Sequence, residues 1–220
     1  MLMVCLCCLE MNVGAVCVIA GCAGLLSFVF LAVAIGTDYW YVIDVSKSKY
    51  NTEKESDDLS SHSGLWRICQ GKNACIGLID PLGDETQHVP KSQHHLLLMQ
   101  KVCVILLPLS LVLLVFGGIC GLVSSLANDL CMLLFTGSYF LVGGTLTLTG
   151  ITVYIAYSKA AFAEVMCLYD HRMFDDIDTS FSWSMGLAWL SFTLEIISGA
   201  LLLLAAKLNA VRHPIQSVVI

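Results

Sequence analysis

Four stretches of this chain stay uncharged for longer than a helix needs to cross a bilayer. They run from Met11 to Thr37, from Val102 to Asn128, from Leu130 to Ser158, and from Thr179 to Ala206, the last broken only by Glu195. A helix spans the hydrocarbon layer with about 20 apolar residues, and lipid cannot solvate backbone amides, so runs of this kind are helices. Composition agrees: 57% hydrophobic residues, 13% charged residues and a mean hydropathy of +0.81 do not suit a surface bathed in water. The expected fold class is an all-α membrane bundle, a single domain over residues 1–220. Its spans are expected near 11–37, 102–127, 130–157 and 182–206. Between them lie a long polar loop at 38–98, a tight turn at 128–129, a second loop at 158–181 and a tail at 207–220.

The start of the chain is apolar from Met1 to Leu9 but is separated from the first span by Glu10. It lacks the basic start and small-residue cleavage site of a signal peptide, so it is expected to stay. Cys5, Cys7 and Cys8 are candidates for reversible palmitoylation; an extension lying at the membrane interface is the other reading.

The long loop carries the most specific pattern. Trp40 follows the first span, and Gly64-Leu65-Trp66-Arg67 precedes Cys69 and Cys75. Tryptophan, then Gly-Leu-Trp, then two cysteines after the first membrane helix resembles the claudin superfamily. Four local matches resemble its calcium-channel γ-subunit branch, Ala34 to Trp40, Ser63 to Arg67 with Cys69, Phe116 to Cys120 and Gly150 to Ile155, and Trp183-Ser184 with Leu190-Ser191-Phe192 leading to Glu195 and Gly199 is similar as well. The resemblance implies a left-handed four-helix transmembrane bundle bearing a small extracellular β-sheet. It also implies both termini in the cytoplasm and residence in the plasma membrane.

The residues of the loop read as β structure in their own right. Tyr39 to Val45 is aromatic and β-branched, Gly64 to Cys69 alternates, and Cys75 to Ile79 follows a Gly-Lys-Asn turn. Cys69 and Cys75 then oppose each other across a hairpin and suit a disulfide. Zinc is the competing reading, disfavoured by the ligand spacing and the absence of a nearby histidine pair, and no metal site is expected. A cysteine pair in this loop fits an oxidising side of the membrane, which puts both large loops outside. Trp40 and Trp66 are expected to pack on the sheet where it meets the lipid headgroups.

Glu195 is the one acid inside a span. An ionised side chain at a helix centre costs about 3 kcal/mol on insertion scales, so it is expected to act as a polar lock inside the bundle, with Thr145 and Thr149 of the third span as donors. An ion or proton path is the minority alternative. Glycines in all four spans, among them Gly24, Gly117, Gly121, Gly144, Gly150 and Gly199, allow close backbone approach.

Two acidic clusters fall on the loop side: Glu53, Glu55, Asp57 and Asp58, and Asp175, Asp176 and Asp178. They offer a face to a basic partner surface. Val218-Val219-Ile220 could add as a strand to a PDZ domain, although the short stretch after Ala206 does not suggest a long regulatory tail. Phosphate loops, nucleophile elbows and basic patches are missing from the sequence, so neither enzymatic chemistry nor nucleic-acid binding is expected, and no cofactor is called for. The expected partners are membrane lipid and other integral membrane proteins, either a channel or receptor subunit or further copies of the chain itself. Two function classes remain: an auxiliary subunit of a channel or receptor, and a cell-cell adhesion or junction protein, with a membrane organiser as a third outcome.

Overall fold

A computed structural model of the protein describes residues 13–44, 61–70, 74–77, 91–127, 129–168 and 178–216. Four helices dominate it: α1 (Val13–Gly36), α2 (Lys91–Ala127), α3 (Leu130–Leu168) and α4 (Trp183–Gln216). Each is long and apolar enough to cross a membrane. At 1.5 Å per residue α1 is about 36 Å long and the other three exceed about 50 Å. The hydrocarbon core is about 30 Å thick, so these helices must run on into the polar layers. That is why α2 begins at Lys91, ahead of its charge-free run, and α3 continues to Leu168 past the residues expected to end its span. Uncharged runs report the depth of lipid, whereas a helix stops only where its hydrogen-bond ladder does.

The burial pattern is that of a lipid-solvated bundle. Large aliphatic side chains face outward, Leu126, Leu122, Leu25 and Val18 among them, while Ser27, Ser124, Thr136, Ser191 and Ser198 are buried. Lipid gives no hydrophobic reward for burying leucine, so small and hydroxyl-bearing residues take the helix interfaces instead. Among the described residues, no buried side-chain nitrogen or oxygen lacks a hydrogen-bond partner.

The chain forms two compact units. The first comprises residues 1–30, 110–146 and 190–220 and is helical throughout its described part, apart from the turn at Asp129. In it, α1 and α4 meet through serines: the Ser27 and Ser191 hydroxyls lie 2.9 Å apart and each is 2.9 Å from the other's carbonyl oxygen. One heptad away on both helices, the Ser198 hydroxyl donates to Ala20 O at 2.8 Å. Helices α3 and α4 meet backbone to backbone, since a Cβ on Gly137 would sit 2.9 Å from Leu203 and 3.1 Å from Gly199 O. Gly117 packs against Tyr139 and Phe140 of α3, and Gly121 against Thr136, so this G-x-x-x-G pair is used within the chain. Gly137→Val would drive a branched side chain into the α4 backbone. It should cost about 1–3 kcal/mol, seen as a lower midpoint of thermal unfolding in detergent.

The second unit, residues 31–109 and 147–189, carries a five-stranded antiparallel sheet. Its strands are β1 (Tyr41–Asp44), β2 (Ser61–Ser63), β3 (Arg67–Gln70), β4 (Ala74–Gly77) and β5 (Asp178–Phe181), in the order β4-β3-β2-β1-β5. The register sets Tyr41 against Ser63 and Phe181, and Cys69 against both His62 and Cys75. Two features depart from the sequence reading. Gly64 to Trp66 is the turn between β2 and β3 rather than part of a strand, because Gly64 N donates to Arg67 O at 2.9 Å and closes the loop there. The second polar loop also supplies a strand, β5, which pairs with β1 from Asp44↔Asp178 to Tyr41↔Phe181. A four-residue Asp-Thr-Ser-Phe segment has no strand pattern of its own and is held by its neighbour.

Candidate functional site

A helix that ends near a bilayer surface leaves its last carbonyls without intrahelical donors. At the end of α1 those acceptors are met almost entirely by the loop motif. The Thr37 hydroxyl donates to Val33 O at 2.8 Å, and the Trp40 indole Nε1 donates to Ala34 O at 2.7 Å. The Trp66 indole Nε1 donates to Ile35 O at 2.9 Å. Indole suits this place because it brings one N–H on an otherwise apolar body. Two tryptophans far apart in sequence therefore cap one helix.

The rest of the motif holds that cap in place. Gly64 lies so close to the chain after α1 that a Cβ would fall 2.5 Å from Asp38 Cα and 3.0 Å from Thr37 O. Only glycine lets the β2–β3 turn rest on that backbone. Leu65 is buried beneath the turn. The Arg67 guanidinium approaches the Asp38 carboxylate at 3.9 Å, a half-exposed pair that adds little stability of its own. Trp40 is completely buried, its ring 4.8 Å from that of Tyr154 in α3, and the Tyr154 hydroxyl lies 3.3 Å from that of Ser63 in β2. The Ser182 carbonyl accepts from Met185 N at the start of α4, and the Ser182 N–H donates to Trp40 O at 3.1 Å. The Thr37 and Ser184 hydroxyls, 2.9 Å apart, link the end of α1 to the first turn of α4.

Cys69 and Cys75 form a disulfide, with Cα atoms 4.0 Å apart, joining β3 to β4. Closing so short a ring restrains the unfolded chain by about 2 kcal/mol. Cys69→Ser should therefore lower the fraction of protein reaching the cell surface, measured by surface biotinylation, and less severely than the loss of a buried tryptophan.

Trp40 is completely buried, its indole on Ala34 O and its ring on Tyr154. Trp66 is part exposed. Glu195 is completely buried in α4, with Oε2 3.3 Å from where a Cβ on Gly144 would stand, so glycine at 144 makes room for the carboxyl group. Thr145 and Thr149 stand on exposed positions of α3, and the Thr145 hydroxyl donates to Val142 O at 2.7 Å. Asp178 opens β5, opposite Asp44 in the register. Cys5, Cys7 and Cys8, Glu53, Glu55, Asp57 and Asp58, Asp175 and Asp176, and Val218 to Ile220 lie outside the described residues. Tyr154, Ser63, Thr37 and Ser184 fall within the matched stretches, but the sequence assigned none of them a contact. Tyr154 had one available signal, a lone tyrosine within the Gly150 to Ile155 match.

The model of the PMP-22/EMP/MP20/Claudin tight junction family matches residues 25–204, from within α1 to near the end of the apolar part of α4. The chain belongs to this family. The claudin-family architecture, four membrane helices with a small antiparallel sheet beside the first, is the one described above. The chain is also similar to subunits of voltage-dependent calcium channels. The rat voltage-dependent calcium channel gamma-3 subunit is 30% identical over 139 residues, covering 59% of this chain and 44% of the relative. The human gamma-3 subunit shows the same identity and coverage. The human voltage-dependent calcium channel gamma-4 subunit is 31% identical over 146 residues, covering 59% and 43%. The match thus spans less than half the length of these relatives. This claudin-family chain is a multi-pass membrane protein, similar over part of its length to calcium-channel gamma subunits.

Proposed function

We propose that this protein is a non-enzymatic auxiliary subunit of a channel or receptor, working in the plasma membrane with both termini in the cytoplasm and the sheet outside. The observation that carries this reading is the similarity to calcium-channel gamma subunits at 30–31% identity over 59% of the chain. Long helices with outward aliphatic faces support it, since such faces can pack against another integral membrane protein as readily as against lipid. The acidic loop clusters would meet that partner's basic external surface, and Val218 to Ile220 would engage a PDZ protein. Glu195 serves the bundle as a polar lock rather than as an ion path. Glu195→Gln, which keeps the shape and most of the hydrogen bonding, should leave the thermal midpoint and surface delivery close to those of the wild type. A folded variant that had lost a proton-dependent activity would instead mark a pathway.

The family's tight-junction description favours one alternative, adhesion between copies on facing cells. Mild-detergent purification of the tagged protein from native tissue, followed by quantitative mass spectrometry, separates the two. A pore-forming channel or receptor subunit recovered in near-stoichiometric amount supports the auxiliary role. Recovery of only the protein itself with cell-contact proteins would reverse the preference.

A further inference from the structure

Three aromatic rings are stacked on the outside of the second unit, apart from the helix-end cap. Tyr39 lies parallel to the His62 ring with centroids 4.5 Å apart, and Trp183 is 6.2 Å from Tyr39 on a second stacked contact. Unlike Trp40, the outer pair is open: Tyr39 is 43% exposed and Trp183 51% exposed. Their place along the chain is specific. The first candidate span ends at Gly36, just before Tyr39, and the fourth begins at Trp183 itself. Both rings therefore stand at the sheet-side ends of their candidate spans. Val33 of α1 and Trp189 of α4, on the same two helices, are also exposed.

We propose that the Tyr39–His62–Trp183 stack is a headgroup anchor, lying in the interfacial layer of the bilayer on the sheet side and binding phospholipid headgroups there. Tryptophan and tyrosine partition to this layer because an apolar ring meets the acyl boundary while the N–H or O–H stays in polar surroundings. The third ring gives the anchor a structural consequence. His62 is a β2 residue opposite Val42 and Cys69, so its stacking on Tyr39 fixes the sheet's height above the membrane. The anchor is thus distinct from the buried cap, which joins the sheet to α1 but touches no lipid through Trp40.

The test uses the full chain in phosphatidylcholine nanodiscs. Tryptophan emission is compared between wild type and Trp183→Phe, so that the difference reports Trp183. Lipids brominated near the headgroup end of the acyl chain should remove most of that difference emission. Lipids brominated near the terminal methyl, and aqueous iodide, should each remove much less. Stronger quenching by the deep label, quenching by iodide alone, which marks a surface facing water, or quenching by neither, which marks a ring covered by protein, would overturn the proposal. Should Trp183→Phe fail to elute as a folded monodisperse species, Trp183→Tyr, which retains an interfacial ring, gives the same subtraction, and the same quenching patterns support or overturn the anchor.

Discussion

Trp40→Ala should leave most of the protein inside the cell. The substitution empties a completely buried site, removes the donor to Ala34 O and strips the ring contact with Tyr154. Large-to-small replacement of a buried aromatic costs about 3–5 kcal/mol, a large part of the stability of a typical domain. Surface biotinylation should show a several-fold drop, and thermal unfolding in detergent a markedly lower midpoint. Trp40→Phe separates the two contributions. It keeps most of the ring and loses the N–H, while Ala34 O keeps the Thr37 hydroxyl as a donor at 3.1 Å, so the loss is about 0.5–1.5 kcal/mol. A phenylalanine variant as damaged as the alanine one would place the whole effect in the hydrogen bond. One as stable as the wild type would remove the capping role.

Gly64→Ala should do nearly as much harm by adding a single methyl group. Its Cβ would fall 2.5 Å from Asp38 Cα, against backbone that cannot rotate away. The β2–β3 turn would have to lift from the end of α1, taking the Trp66 indole away from Ile35 O and Leu65 out of its buried place. Overpacking typically costs about 1–3 kcal/mol, and here the lost contacts add to it. The check is again surface delivery, together with proteolysis of the purified protein, which should cut the variant's loop at lower protease concentration. The contrast with Gly36, where a Cβ meets nothing within 4 Å, supplies a control: Gly36→Ala should be nearly silent.

The sequence reading located the membrane helices from the physics of lipid alone, because a charge-free run of that length has no other stable form. It located the disulfide for a related reason, since two cysteines either side of a turn in a β-patterned loop face each other in register. What it could not supply were the partners of residues whose type is common to many places. Tryptophan is as suited to a headgroup layer as to a helix cap, and only the course of the chain after Gly36 decides that Trp40 lies inside. Ser27, Ser191 and Ser198 look like any serines in apolar helices until the two helices are laid side by side. Gly137 gave no signal, being one glycine among many, yet it lies among the tightest backbone contacts in the first unit. Position 144, next to the expected donor Thr145, illustrates the sensitivity of helix faces. One residue is a turn of about 100°, enough to put Gly144 against Glu195 and Thr145 on an exposed position.

The double indole cap has a mechanical meaning. Trp40 joins the end of α1 from the strand side and Trp66 joins it from the hairpin side, while Gly64 leaves no gap between the turn and the helix exit. Helix and sheet consequently share no hinge at this joint. A partner that tilts the last turn of α1 would swing the strands with it, as a needle moves with its spindle.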